Sequence, residues 1–383
     1  MKNNKLATKN TLYMEVKGKI LQFIKENNFQ AHDVLPSEAE LAEKYGVSRM
    51  TCKLALQQLV DEGVVYRLPR RGTFVAEYAD TKFDITQQKK RSQRLGLVVP
   101  HIDEYVSQII TSIVHEAEKN GYEVLLKISD NQENKENLIL SELSHEYHVD
   151  GIILFPSDRK ECGDGLLRLK LDKFPVVILD REFREIQIDS VYHDHFQGTY
   201  NITKYLIEQG HRQIGYISHN IEIATSREER FRGFIQCMLD HNISFQYQRK
   251  LTNVEWAHGN DSGSVKVLLP NIEQYLKNNR QLTAVLCMDD YLAAYVVHAA
   301  RRIGLQVPDD LSITGFLDIN VTQFLPVSLT TMRQPTNELG EEAVRLLLRR
   351  MDNTDIDIQH IQIPTELVIR DSVRNISNTT TNI

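Results

Sequence analysis

The hydrophobic spacing of the first part of the chain predicts three helices followed by two strands. Apolar residues recur every three or four positions in LYMEVKGKILQFIKENN, and PSEAELAEKYG has the signals of a helix start and a helix end. Ser48 then caps a third helix, whose apolar stripe runs from Cys52 to Val60. The runs VVYRL and GTFVA are β-prone and flank Pro69-Arg70-Arg71-Gly72, which predicts a hairpin. We therefore expect a compact α+β unit, three helices and a two-stranded wing, over residues 1–76.

The rest of the chain has a different pattern. Residues 77–93 lose periodicity and predict a linker, and the polar residues 375–383 predict a disordered tail. Between them, over residues 94–374, amphipathic stretches separate the apolar runs LGLVVP, YEVLLKI, DGIILFP, FPVVILD, QIGYIS, AVLCM and LSITGF. This alternation predicts an α/β body with doubly wound parallel sheets. Seven such units exceed one domain, so we expect two lobes, with a cleft at the carboxyl ends of the strands.

The charge is unevenly distributed along the chain. The formal net charge is −7, yet residues 1–94 hold 17 basic and 11 acidic residues and therefore carry +6. The remaining residues carry −13. A basic head on an acidic body indicates that only the head meets a polyanion.

Composition favours a cytoplasmic protein that needs no cofactor. The four cysteines are scattered without C-x-x-C spacing, which favours reduced core residues over a zinc site or disulfides. We find no signal peptide and no apolar run long enough for a membrane span. Phosphate-binding glycine loops, nucleophile elbows and metal-ligand sets are also missing, so no catalytic residue is predicted. His193-x-His195 is the nearest approach to a metal pair, and an ordinary loop is the better interpretation.

The start of the third helix has the chemistry of a DNA-binding surface. Its apolar stripe must face the core, which leaves Ser48-Arg49-Met50-Thr51 and Lys53 to project outward. A helix N-terminus attracts phosphate, and an arginine can bond guanine or phosphate bidentately. At the wing, Arg70 and Arg71 place two guanidiniums beside Gly72, which permits close backbone approach. Basic helix starts are common solvated surfaces, so the prediction depends on the combination of helix start and wing.

These motifs resemble the GntR family of winged helix-turn-helix proteins. The resemblance rests on PSEAELA, GVSRMT, ALQQL, GVV and RGTFVA, and it covers about residues 10–76. It implies that Arg49, Thr51 and the wing touch DNA and that Glu38 begins the second helix. Lys53 stands where many members have arginine, and Ala39 stands where some members have a DNA-contacting arginine.

Polar residues follow the predicted strands of the body one after another. Examples are Asp103-Glu104-Tyr105, Ser157-Asp158, Asp180-Arg181, Asp289-Asp290 and Asp318. Carboxylates and guanidiniums bond hydroxyls, and an aromatic ring covers the C–H face of a polyol. Each residue also has a plainer interpretation. Carboxylates in loops commonly cap the next helix, and a single tryptophan such as Trp256 is more often a core residue.

The body resembles the effector domain of LacI/GalR repressors, which is similar to periplasmic sugar-binding proteins. The matching segments include RLGLVVP, PVVILDR, DSVYHD, LIEQGHRQIGYI, RFRGF, VPDDLSITGF and LTTMRQPTNELG. The implied effector-binding residues are Tyr105, Asp180, Arg230, Trp256 and Asp289. Where the family commonly has two aspartates after the glycine and aromatic residue, this chain has Leu317 and Asp318, so either Asp318 compensates or the effector lacks a hydroxyl there.

Together the two resemblances imply a ligand-controlled transcription factor of the arabinose-repressor type. We expect a homodimer that binds double-stranded operator DNA and a small sugar, and that does not bind a membrane. A free monosaccharide such as a pentose is favoured over a sugar phosphate, although Arg181, Arg227 and Arg230 can hold a phosphate. A repressor is favoured over an activator. A sugar sensor or carrier outside transcription and an enzyme acting on carbohydrate are the other hypotheses.

Overall fold

The computed structural model describes residues 4–27, 29–61, 63–68, 71–76, 91–252, 254 and 262–377. The chain forms two compact units, Met1–Arg91 and Ser92–Ile383. In the ranges that the structure describes, no helix combines the length and the apolar character that crossing a membrane requires. The linker predicted at 77–93 and the tail predicted at 375–383 fall largely outside these ranges.

The first unit contains the predicted three helices and wing. Its elements are α1 (Asn4–Glu26), α2 (Glu38–Lys44), α3 (Arg49–Asp61), β1 (Val65–Leu68) and β2 (Gly72–Val75). The two strands pair antiparallel, with Val65 opposite Val75. Ile20 of α1, Leu41 of α2 and Leu56 of α3 are fully buried in one core, which explains how the three helices hold together.

Local signals fix where these helices begin and end. Ser37 caps α2 through a capping box with Glu40, since each side chain accepts a backbone N–H of the other residue. Gly46 and Gly63 adopt positive φ angles of 64° after the helices that they follow, a conformation that glycine adopts without strain.

The second unit alternates strands and helices over most of its described residues. In chain order it contains β3 (Arg94–Val99), α4 (Glu104–Lys119), β4 (Glu123–Ile128), α5 (Glu133–His145), β5 (Gly151–Leu154), α6 (Asp164–Leu171), β6 (Val176–Leu179), β7 (Asp189–His193), α7 (His195–Glu208), β8 (Ile214–Ile217), α8 (Thr225–Asp240), β9 (Lys250–Leu251), α9 (Ser262–Asn278), β10 (Ala284–Cys287), α10 (Asp290–Arg302), β11 (Ser312–Thr314), β12 (Thr331–Arg333), α11 (Thr336–Asp352), β13 (His360–Ile363) and β14 (Glu366–Val368).

These elements form two lobes, each with a parallel sheet between helices. The sheet of the first lobe has the strand order β13-β7-β6-β5-β3-β4, and that of the second lobe has the order β11-β10-β8-β9. Helices α4 and α11 cover one face of the first sheet, while α5 and α6 cover the other. In the second lobe α9 and α10 lie opposite α7 and α8. The predicted α/β class with a two-lobed, doubly wound body is confirmed.

Within the part of the chain that the structure describes, the backbone crosses between the lobes three times. The first crossing joins β7 to α7 at 193–195, the second joins β12 to α11 at 333–336, and the third joins β13 to β14 at 363–366. Strands β12 and β14 pair antiparallel. The second crossing therefore leaves the second lobe beside the point at which the third crossing enters it.

Strand β7 was not among the predicted apolar runs because its ends are polar. Its first residue, Asp189, is fully buried and receives both sides of the Arg350 guanidinium, from Nε at 2.6 Å and from Nη2 at 2.9 Å. Arg350 also donates to the backbone carbonyls of Thr354, Ile356 and Asp357. All five of its N–H groups therefore have acceptors, which is how the polar strand end is buried without an unpaired charge.

Candidate functional site

The start of α3 presents the side chains predicted to face DNA. Arg49, Met50 and Lys53 are exposed, and Thr51 is half-buried. Ser48 accepts the backbone N–H of Thr51 at 3.1 Å, and the two side-chain hydroxyls lie 2.8 Å apart. This pairing fixes the first turn of the helix, from which the guanidinium of Arg49 reaches solvent.

The other predicted DNA-facing positions lie on the second helix and at the wing. Glu38 is half-buried and accepts a hydrogen bond from Arg67 of β1 at 2.8 Å, so its carboxylate links α2 to the wing. Arg71 and Gly72 are exposed at the wing turn, where Gly72 has a φ of 116°. Arg70 lies outside the described residues.

The carboxyl ends of the strands converge on a solvent-open cleft between the two lobes, with a cavity volume of about 110 Å³. Its polar lining residues in the first lobe are His101, Asp103, Asn131, Asp158, Asp180 and Arg181. Those in the second lobe are His219, Ser226, Arg227, Arg230 and Asp289. The apolar and aromatic lining includes Tyr105, Phe155, Met288, Tyr291 and Leu317. A lining that combines apolar and aromatic side chains with a few converging polar groups is typical of a small-molecule site.

An ion pair joins the two lobes across the cleft. Arg227 of α8 donates to Asp158, which follows β5, at 2.7 Å, and Arg181 lies 3.4 Å from the other carboxylate oxygen. Burial alone would raise the pKa of Asp158, but Arg227 and Arg181 lower it to about 2. The charges of Arg227 and Asp158 therefore offset each other within the cleft.

Asp180 has a buried carboxylate that accepts no side-chain hydrogen bond from the described residues. Among the described residues, Arg181 Nη2 and the ring nitrogen Nε2 of His195 each lie 3.8 Å from this carboxylate, beyond hydrogen-bond distance. Burial alone would raise the pKa of Asp180, but His195 and the guanidiniums of Arg181 and Arg230 lower it. An ionised carboxylate, whose side-chain oxygens accept no hydrogen bond from the residues that the structure describes, is thus held in the wall of the cleft.

Arg230 is clamped by protein groups on every nitrogen. Nε donates to His195 Nδ1 at 3.2 Å, Nη1 to the Met288 carbonyl at 2.6 Å, and Nη2 to Gln334 Oε1 at 3.0 Å. Its guanidinium also lies 4.1 Å from the ring centroid of Phe316. The side chain enters the cleft in a fixed orientation, with two N–H groups beyond these three bonds.

Asp289 and Tyr105 complete the predicted set that the structure brings together. Asp289 caps α10 by accepting the Leu292 backbone N–H at 2.7 Å, and its second carboxylate oxygen lies 3.5 Å from His219 Nε2. Tyr105 is buried, with its hydroxyl 3.4 Å from His193 Nδ1. Both line the cleft.

The suggestion that Asp318 replaces the missing aspartate needs correction. One of its carboxylate oxygens accepts Arg333 Nε at 2.8 Å and the other accepts Arg370 Nη2 at 2.6 Å, and Asp318 is not part of the cleft lining. Leu317 and Asp318 both have positive φ, at 130° and 65°, and this turn directs Leu317 to the cleft. The ion pairs with two arginines hold Asp318 away. Trp256 lies outside the described residues.

His193 and His195 are not in an ordinary loop. His193 ends β7, His195 begins α7, and both are buried at the first crossing. Among the described residues no group of three metal-ligating side chains occurs, and each histidine instead bonds protein groups. Sequence reasoning also left Asp158 and His219 out of the effector set. Their position directly after strands was the available signal.

Acid should destabilise the second unit through its buried histidines. Burial is the main cause that lowers the pKa of His193 to about 4, of His195 to about 3 and of His211 to about 4. In the unfolded chain these histidines have the ordinary pKa of 6.5 and bind protons before the folded protein does. Stability is therefore lost as the pH falls from about 6.5 towards 4. Asp290 opposes this, because burial raises its folded-state pKa from 3.8 to about 7.

The three histidines destabilise the folded state as the pH falls, and the one aspartate offsets part of their effect. The free energy of unfolding therefore decreases by at most about 3 kcal/mol per pH unit. Thermal unfolding midpoints measured between about pH 7.5 and pH 4.5 check this expectation. The His211→Gln variant should have a shallower slope than the wild type. A midpoint that is constant or rises with acidity contradicts the assignment.

Comparisons with known proteins agree with both halves of this geometry. Residues 12–75 match the gntR family of bacterial regulatory proteins, and residues 203–373 match the periplasmic binding protein-like domain. The HTH-type transcriptional repressor PurR of Mannheimia succiniciproducens is 30% identical over 293 residues, covering 75% of this chain and 83% of that protein.

The chain belongs to the bacterial transcriptional repressors.

One relative matches this repressor across both of its units. The arabinose metabolism transcriptional repressor of Geobacillus stearothermophilus is 28% identical over 377 residues, which is 95% of this repressor and 98% of the relative. The structure of the transcription regulator CcpA of Lactococcus lactis covers 74% of this repressor and 100% of that chain, with 27% identity and a TM-score of 0.65. The predicted GntR head joined to a LacI/GalR-type body is confirmed, and so is the prediction of a transcriptional regulator.

Proposed function

We propose that this repressor controls carbohydrate-utilisation genes in the cytoplasm and is released from operator DNA by a small free sugar. A homodimer places two heads on a two-fold symmetric operator, with α3 and the wing against the DNA. The cleft binds the sugar without catalysing a reaction on it. The observation that carries the proposal is the buried, ionised Asp180 carboxylate, which accepts no hydrogen bond from the described residues and lines the same cleft as the clamped Arg230 of the other lobe.

A neutral sugar fits the charge of the cleft better than a sugar phosphate. Asp103, Asp158, Asp180 and Asp289 line it, and the charge of Arg227 is already used by Asp158. A phosphate dianion would lie near two buried carboxylates, whereas sugar hydroxyls donate to a carboxylate and accept from a guanidinium. The relative from Geobacillus stearothermophilus is named for arabinose metabolism, which supports a pentose as the first candidate.

Release follows if the sugar binds one arrangement of the lobes better than another. The cleft lining comes from both lobes, so a bound sugar contacts both at once and favours their closed arrangement. The affinity for the operator then changes at most by the ratio of the sugar's affinities for the two arrangements of the lobes.

Asp180→Asn should weaken sugar binding by about tenfold or more, because a hydroxyl then bonds a neutral amide in place of a buried carboxylate. The measurement is calorimetric titration with L-arabinose, D-ribose and D-xylose and with the 5-phosphate of each. Asp172→Asn, an exposed carboxylate of the same lobe, is the matched control and should bind like the wild type.

Each outcome of this titration has a distinct meaning. Tighter binding of the phosphates than of the free sugars contradicts the preference for a neutral ligand. Unchanged affinity in Asp180→Asn contradicts the assigned role of the carboxylate. Conversion of the sugar, seen by mass spectrometry of the recovered ligand, overturns the non-enzymatic proposal.

A further inference from the structure

Two buried histidines at the first crossing connect the cleft to the segments that join the lobes. His195 Nε2 lies 2.9 Å from the backbone carbonyl of Asp180, and His195 Nδ1 lies 3.2 Å from Arg230 Nε. His193 Nε2 lies 3.3 Å from the Pro335 carbonyl, and Pro335 belongs to the second crossing. The pair therefore touches both lobes and two of the three crossings.

Chemistry fixes which ring nitrogen of His195 carries the proton. A backbone carbonyl can only accept, so Nε2–H donates to Asp180. The Nε–H of Arg230 can only donate, so Nδ1 must accept. Burial, followed by the charge of Arg230, lowers the pKa of His195 to about 3, which keeps the ring neutral in this tautomer.

The same logic applies to His193. Its Nε2–H donates to the Pro335 carbonyl, which leaves Nδ1 to accept the Tyr105 hydroxyl at 3.4 Å. Tyr105 lines the cleft, as do Asp180 and Arg230. Three cleft residues thus lie one hydrogen bond away from a histidine of the first crossing.

The network continues from Arg230 to the second crossing. Arg230 Nη2 donates to Gln334 Oε1 at 3.0 Å, so His195 reaches the second crossing through Arg230, while His193 reaches it directly. A change in the orientation of Arg230 therefore changes a contact of a chain segment that joins the two lobes.

We propose that His195 is a positioning residue that holds Asp180 and Arg230 in their sugar-binding geometry and couples them to the second crossing. This inference rests on the proposed sugar function for its ligand, but the coupling itself can be measured without a sugar. His195 contributes no atom to the cleft lining, and its role is exerted through the two residues that it orients.

The first test is hydrogen–deuterium exchange of the full-length, sugar-free protein. His195→Ala removes the acceptor of Arg230 Nε, so exchange should rise several-fold in peptides covering residues 333–339 as well as around 193–198. His195→Asn places a side-chain oxygen near the position of Nδ1, and it should restore slow exchange at 333–339 by accepting from Arg230. His211→Ala is the matched control, since His211 is an equally buried histidine of the second lobe that bonds Thr283 and the Arg374 carbonyl.

The second test is titration of the same variants with L-arabinose, D-ribose and D-xylose. His195→Ala should bind the sugar favoured by the wild type about tenfold or more weakly, and His211→Ala should bind it normally. Exchange at 333–339 that stays at the wild-type rate in His195→Ala, or that rises equally in His211→Ala, overturns the inference. If no sugar binds the wild type, the proposed function fails while the exchange data still decide whether the coupling exists.

Discussion

Arg49→Ala should lower specific operator affinity by about 10- to 100-fold for each head that engages DNA. A bidentate arginine–guanine contact contributes about 1–3 kcal/mol of base discrimination, and a dimer loses this contribution twice. Arg49 projects from the first turn of α3, where Ser48 and Thr51 fix the backbone, so the substitution removes the guanidinium and leaves the helix start intact. Fluorescence anisotropy measures the loss, with DNA selected by the wild-type protein from a random pool and a scrambled duplex for comparison.

Lys53→Ala provides the contrast to Arg49→Ala. An exposed lysine acts on phosphate as a point charge, so its removal should weaken selected and scrambled DNA alike. The salt dependence of binding should then decrease by about one counterion for each head. Selected-DNA affinity within twofold of the wild type in Arg49→Ala would show that α3 does not read the bases through this residue.

Arg350→Ala should lower the free energy of unfolding of the second unit by about 3–5 kcal/mol. The substitution leaves the Asp189 carboxylate buried with only the Gln359 backbone N–H as a hydrogen-bond donor among the contacts described for it. It also removes the donors for three carbonyls in the segment between α11 and β13. Urea unfolding followed by circular dichroism, with the transition of the second unit analysed separately, measures the effect.

Arg349→Ala is the control for this experiment. Arg349 is the adjacent, exposed arginine of α11, and its only charged contact among the described residues is Glu342 at 3.8 Å. Its removal should change stability by less than about 1 kcal/mol. A loss of similar size in both variants would mean that the Asp189–Arg350 pair contributes no more than a surface ion pair.

The sequence predicts those parts of the fold in which apolar residues form a continuous run. Strands β5, β6 and β10 are buried on both faces and appear in the sequence as continuous apolar runs. Strand β7 carries Asp189 at one end and His193 at the other, and both are buried only because partners distant in sequence satisfy them. A local pattern does not contain those partners, so the strand could not be identified from it.

In the cleft, too, the sequence predicts the residues whose position depends on local sequence and misses those that depend on distant partners. The position of a carboxylate directly after a strand predicted that Asp180 and Asp289 would reach the cleft, and both line it. The adjacent positions Leu317 and Asp318 could not be assigned in this way, because a turn with two positive φ angles decides which side chain faces inward. The role of His195 was equally hidden, since it depends on the Arg230 side chain 35 positions away.

The three crossings mean that neither lobe is a continuous piece of chain. The first lobe consists of residues 94–193 and 336–363, and the second consists of the described residues within 195–333 and of residues 366–377. A protease cut at one crossing therefore leaves two covalent connections and releases neither lobe. An exchange of one lobe between related regulators must accordingly be made at all three junctions together, so that a chimaera with a single breakpoint would mix parts of both lobes.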